Sequence, residues 1–132
     1  MATLTQEMKD MVASQQCFIG TVDKNGIPNV APKRSTRVLN DSTLIFTEGT
    51  GKKTLENIRN SSKISVAVVN REVLDGYRFN GRGEVVESGD LFEKAAEMSQ
   101  KMNLPRPKAV ILIHIEEIYS LKPGPTAGTK IG

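Results

Sequence analysis

Gly51-Lys52-Lys53-Thr54, inside the stretch EGTGKKTLENI at 48–58, joins a glycine bend to two ammonium groups and a hydroxyl, a set suited to holding an anion. A nucleoside-triphosphate loop needs Gly, four residues, then Gly-Lys-Ser/Thr, so that amides wrap the phosphates and the hydroxyl reaches magnesium. Lys53 stands where that hydroxyl belongs, and Phe46 where the first glycine belongs. What survives is simpler: a turn followed by a short helix from Thr54 to about Arg59, whose free amides and neighbouring lysines suit one phosphate monoester. The alternative is a plain solvated turn.

Other reactive side chains offer less. Cys17, the sole cysteine, opens the apolar run CFIGTV and reads as a small buried hydrophobe; it excludes an intrachain disulfide and a thiolate cage. His114 is the only histidine, on the strand face of Val110, Leu112 and Glu116, and reads as structural. Glu116 and Glu117 point to opposite faces and cannot work as a carboxylate pair. No metal constellation and no catalytic residue can be assigned.

Charge is uneven. Lys33, Arg34, Arg37, Lys52, Lys53, Arg59 and Lys63 face only Asp41, Glu48 and Glu56 within residues 33–63, although the chain carries just +3 overall. Such a local patch implies a small anionic ligand more than a polyanion. With two Tyr, four Phe and no Trp, and no basic helix with interleaved aromatics, nucleic acid is not the expected partner.

These groups must be positioned by short elements. Thr3 is the expected cap of a first helix with Leu4, Met8, Met11 and Val12 on one face. The segment 17–39 reads as two strands joined at Asp23-Lys24-Asn25-Gly26, and TLIFTEG as a third after Asn40-Asp41-Ser42. KISVAVVN reads as a fully buried strand. In GYRFNGRGEVVES, Gly81 and Gly83 mark a bend or a close backbone approach. Asp90 is the expected cap of a helix whose inner face carries Leu91, Ala95, Met98 and Met102, ending before Pro105 and Pro107. A long last strand, KAVILIHIEEIYSL, and a Pro/Gly-rich tail complete the chain. The expected fold is mainly β with flanking helices, a six-stranded antiparallel barrel in one domain spanning 1–132. With 38% apolar and 25% charged residues, no membrane-length apolar run and no secretory pattern at the start, the expected setting is cytoplasmic, without a membrane partner.

The order hairpin, basic strand, TLIFTEGTGKKT, short helix, KISVAVV resembles the pyridoxamine 5′-phosphate oxidase-like family of FMN-binding split barrels. The resemblance runs from Cys17 through IEEIYSLKPGP. It sets Phe46-Thr47-Glu48 on the family's Tyr-Thr-Asn-like element, and Gly51-Lys52-Lys53 on the Ser-Arg-Lys-like turn that grips the phosphate of FMN. It implies FMN as cofactor, held by Lys52, Lys53 and Thr54 at the phosphate and by Phe46, Thr47 and Glu48 along the ribityl chain or ring edge. PKRSTRVL at 32–39 takes the place of the family's second strand, and implies contacts from Lys33, Arg34, Ser35 and Thr36. Alternation would put Lys33, Ser35 and Arg37 on one face and Arg34 and Thr36 on the other, with the cofactor side left open. A charged edge strand is the competing reading of the same residues.

Further implications are a homodimer with flavin between subunits and a flavin-dependent oxidoreductase or electron-transfer role with an unidentified redox partner. An FMN-binding sensor or carrier stays open beside it, as do relatives that use deazaflavin or haem. Family members that oxidise pyridoxine phosphate carry a Trp and an Arg-Leu-x-Pro-like element, absent here, which implies a different substrate. Glu48 in place of Asn implies a negative charge near the ring that would disfavour an anionic reduced flavin.

Overall fold

The computed structural model describes residues 2–132. Its elements are α1 (Gln6–Ser14), β1 (Cys17–Val22), β2 (Pro28–Pro32), β3 (Arg37–Asn40), β4 (Thr43–Glu48), α2 (Lys53–Arg59), β5 (Lys63–Asn70), β6 (Asp75–Val86), α3 (Asp90–Lys101) and β7 (Ala109–Ser120). All strand pairs are antiparallel, in the order β2-β1-β5-β6-β7-β4-β3. The sheet therefore has seven strands, one more than the sequence suggests.

The extra strand comes from residues 32–39, which do not form a single extended segment. After Pro32 the chain turns: both the N–H and the hydroxyl of Thr36 donate to the Lys33 carbonyl, at 3.1 and 2.7 Å. It then re-enters the sheet as β3 against β4, at the opposite edge from β2. Five Cα steps from Pro32 to Arg37 span at most roughly 18 Å. Seven strands laid flat would put those edges roughly 29 Å apart. The sheet must curl until its edges approach, and the crossover ties them: Lys33 N–H donates to Cys17 O on β1 (3.2 Å), while Ser35 exchanges hydrogen bonds with Thr47 on β4 (2.8 and 3.2 Å).

The curled sheet encloses one apolar cluster. Ile19, Phe46, Val66, Phe79 and Ile113 come from five different strands and are fully buried, with Met8 and Val12 of α1 and Leu55 and Ile58 of α2 at its margins. β5 buries Ile64, Val66 and Val68 but leaves Val69 exposed, so KISVAVVN is covered on one face only. Gly81 is demanded by packing, since a Cβ there would lie 2.1 Å from the carbonyl oxygen of His114, at the register shift between β6 and β7.

Both helix-start expectations move. Thr5, not Thr3, caps α1: its hydroxyl accepts from Met8 N–H (3.3 Å), while Leu4 stays outside the helix, buried, donating its N–H to Asp41 O (2.7 Å). Gly89 at φ 96° takes the cap position of α3, and Asp90 becomes its first residue. The inner face of α3 is Phe92, Ala95, Ala96 and Ser99, leaving Met98 and Met102 more than half exposed. Phe92 decides this, because the aromatic ring packs with Ile45, Val110 and Leu112 on the outer face of β4 and β7. The tail also folds back, with Ile131 N–H donating to Ile118 O (2.8 Å) and Ser120 N–H to Thr129 O (2.9 Å) along β7 beyond its pairing with β4.

Candidate functional site

Alternation along β4 sorts the first group of candidates. Leu44, Phe46 and Glu48 face the interior and Ile45 faces α3. The side chain of Phe46 is thus a fully buried core ring, which leaves only its backbone for a cofactor contact. Glu48 is also buried, at 1% exposure, and both its oxygens accept from the Lys33 ammonium, at 3.0 and 3.1 Å. That ammonium lies 5.8 Å from the Phe46 ring centroid. The expected bare negative charge beside a flavin ring is corrected accordingly: Glu48 is neutralised by Lys33 at the end of the barrel interior. Thr47 points the other way, bonded to Ser35 and within 3.5 Å of the Arg37 guanidinium, which also donates to Ser35 O at 2.8 Å.

The crossover does not alternate, because it is a turn. Lys33 turns towards Glu48, Thr36 is buried with its hydroxyl on the Lys33 carbonyl, and Arg34 is exposed. Direct bonds from Lys33 to Glu48 and between Ser35 and Thr47 thus hold the crossover against the end of β4.

The second group sits at the start of α2. Gly51 adopts φ 66°, a left-handed conformation that only glycine takes without strain, and turns the chain into the helix. Lys52 follows, exposed and free of any carboxylate partner among the described residues. Lys53 is engaged: its ammonium lies 3.5 Å from Asp23 and 3.5 Å from Glu56. The N–H of Ile27 above all, then that of Asn25 and the Lys53 charge, hold the Asp23 carboxyl below its usual range against the opposing effect of desolvation. Thr54 is buried and accepts from Asn29 of β2 at 3.2 Å. Of the two lysines, only Lys52 presents an unpaired ammonium.

One residue that the sequence does not single out lies here. Lys108, just before β7, donates its N–H to Glu48 O (2.8 Å) and lays its stem against Gly51. Only the β4–β7 pairing, a contact between distant segments, brings it to the turn.

A groove of about 680 Å³ opens on the outer face of β1, β2, β5 and β6, walled by Val22, Pro28, Val30 and Ser65. It contains none of the expected site residues. It reaches one of them, Thr54, through Asn29, which both lines the groove and donates to the Thr54 hydroxyl. Elsewhere, His114 Nε2 lies 2.8 Å from Glu84 Oε1, a partner the sequence does not reveal. Burial pushes the Cys17 thiol up to about 11, which removes it as a nucleophile near neutrality. No cluster of three or more potential metal ligands occurs among the described residues, and no helix among them is long and apolar enough to cross a membrane.

The family model for pyridoxamine 5′-phosphate oxidase matches residues 4–122, spanning every strand and helix described above. The chain belongs to the pyridoxamine 5′-phosphate oxidase-like family. It is 44% identical to HupZ of Group A Streptococcus, covering 95% of this chain and 99% of that one, with a TM-score of 0.85. A protein of Lactobacillus delbrueckii described as a candidate pyridoxamine 5′-phosphate oxidase is 30% identical, covering 89% and 93%, with a TM-score of 0.79. An uncharacterised Methanocaldococcus jannaschii protein is 33% identical over 131 residues, covering 97% of this chain and 87% of that protein. Below 20% identity the likeness is one of fold alone; those structures include an FMN-binding protein of Syntrophomonas wolfei and an F420 reductase, at TM-scores of 0.70 and 0.66. Within the oxidase-like family, then, this chain has the split-barrel fold with the glycine–lysine turn at the start of α2.

Proposed function

We propose that this chain binds FMN by its phosphate at the Gly49–Lys52 turn and serves as a flavin-dependent oxidoreductase or electron-transfer protein. The observation that carries the reading is the turn itself. Gly51 holds a positive φ, a Cβ on Gly49 would meet nothing within 4 Å, and Lys52 stands beside them with no carboxylate among the described residues to neutralise it. A small anion fits that arrangement. A bound flavin would supply the electron-accepting ring, and the chain's part is to anchor, orient and exclude water.

Lys52 anchors by charge-assisted hydrogen bonding. Lys53 braces α2 against the first hairpin through Asp23, and Asn29 does the same through Thr54. The Lys33–Glu48 pair fixes the crossover over the barrel end, which keeps Arg34, Ser35 and Thr47 in place near the turn. The adjoining groove offers apolar wall for a ring system.

A second copy of the chain is part of this reading. Phe18, Val22, Val30 and Val69 are exposed on neighbouring strands β1, β2 and β5, and packing against a copy would cover them. Photometric reduction by NADH or NADPH tests the redox role. Steady turnover with an added acceptor is the expected result. Bound FMN that no donor reduces would favour a sensor or carrier, and uptake of a deazaflavin in preference to FMN would reassign the cofactor.

A further inference from the structure

Lys108 stands between Pro107 and the first residue of β7. Its N–H donates to the carbonyl of Glu48 at 2.8 Å, one step past the Glu48↔Ala109 pair, so its backbone is fixed to the end of β4. From that anchor the side chain crosses the next turn. Its Cγ lies 3.0 Å and its Cδ 3.6 Å from the point where a side chain on Gly51 would begin. The missing Cβ at Gly51 is therefore what leaves room for the stem of a lysine from a distant segment. Lys108 is exposed, and no carboxylate among the described residues pairs with it.

Charge balance gives this placement a purpose. A phosphate monoester carries about −1.5 to −2 at neutral pH. Lys53 is already shared between Asp23 and Glu56, and Lys33 belongs to Glu48, so Lys52 alone would leave such a group undercompensated. We propose that Lys108 is a phosphate-positioning residue: with Lys52 it brackets the Gly51 turn and meets the phosphate of FMN, while Lys53 braces the turn from behind. This rests on the FMN reading above and assigns the second cation of that site to a residue more than fifty positions away in the chain.

The test measures affinities of FMN and of riboflavin, which lacks the phosphate, for the wild type, Lys108→Gln and Lys108→Arg. The expected result is a loss of about tenfold or more in FMN affinity for Lys108→Gln, the scale of one hydrogen bond to a charged group. Riboflavin affinity stays unchanged, and Lys108→Arg recovers most of the loss. Equal FMN affinity in wild type and Lys108→Gln overturns the role of Lys108 and leaves the flavin reading intact. A parallel loss for FMN and riboflavin also overturns it, because the residue would then act on the fold or ring. A wild type that binds neither ligand removes the flavin reading, and Lys108 with it.

Discussion

The ammonium of Lys33 bonds both carboxylate oxygens of Glu48, at 3.0 and 3.1 Å, where Glu48 is 1% exposed at the end of the barrel interior. The pair joins the crossover to β4 across the line where the curled sheet meets itself. A closure of this kind is held by a charge that cannot reach water, so its two halves are unequal under mutation.

Lys33→Met leaves the Glu48 carboxylate buried without a partner, and should lower stability by about 3 kcal/mol. The double variant Lys33→Met with Glu48→Leu should recover most of that loss, since an apolar pair of similar volume carries no desolvation cost. Urea denaturation of the two variants and the wild type measures both quantities. A double variant as unstable as the single one would contradict a penalty arising from the unpaired charge.

Lys52→Ala should weaken FMN binding about tenfold, the scale of one lost charge-assisted hydrogen bond. Lys53→Ala should cost less, because that ammonium is held by Asp23 and Glu56 rather than free for a ligand. Flavin fluorescence quenching measures both affinities. A larger effect at Lys53 than at Lys52 would reverse the roles assigned to the two lysines.

Gly81→Ala places a methyl carbon 2.1 Å from a backbone oxygen of the neighbouring strand, where no rotamer change can relieve it. The cost should be roughly 3 kcal/mol or more, as for overpacking against a rigid neighbour. Gly51→Ala meets instead the flexible stem of Lys108, at 3.0 Å, in a left-handed backbone. It should cost roughly 1–2 kcal/mol and displace Lys108. Thermal unfolding should therefore rank Gly81→Ala well below Gly51→Ala, and the opposite ranking would be inconsistent with the close β6–β7 approach.

Burial raises the Cys17 thiol from its ordinary 9.0 to about 11 in the folded chain. The folded state thus favours the protonated form: the associated stability is fully present below pH 9 and is lost as pH rises through 11. Thiol labelling at pH 8 should be slow in the native protein and rapid after denaturation. Fast native labelling would place Cys17 outside the core.

Much of the fold is legible because local patterns coincide with it. Asn25-Gly26 sits in the β1–β2 turn, with Gly26 at φ 80°, and Gly81 marks the close approach that paired glycines in a strand suggest. Residues 32–39 mislead because nothing local tells a strand from a crossover: the Thr36 turn is fixed by its hydroxyl on Lys33 O, and β3 by a partner strand elsewhere. On α3, Leu91 and Ala95 pack on the sheet as the pattern suggests, but Met98 and Met102 do not, because Phe92 fills that face against the β4–β7 surface beneath it. At the candidate site, the glycine turn and its lysines can be read directly. Which lysine is free cannot, since Asp23, Lys33 and Lys108 reach the site only through contacts between distant segments.

The most direct measurement is an FMN titration of the purified, folded protein followed by its absorption spectrum. A yellow complex that saturates with FMN at micromolar or lower concentration is the predicted result. A folded, colourless protein that takes up no FMN over that range would contradict the assignment of the Gly51 turn as a flavin phosphate site.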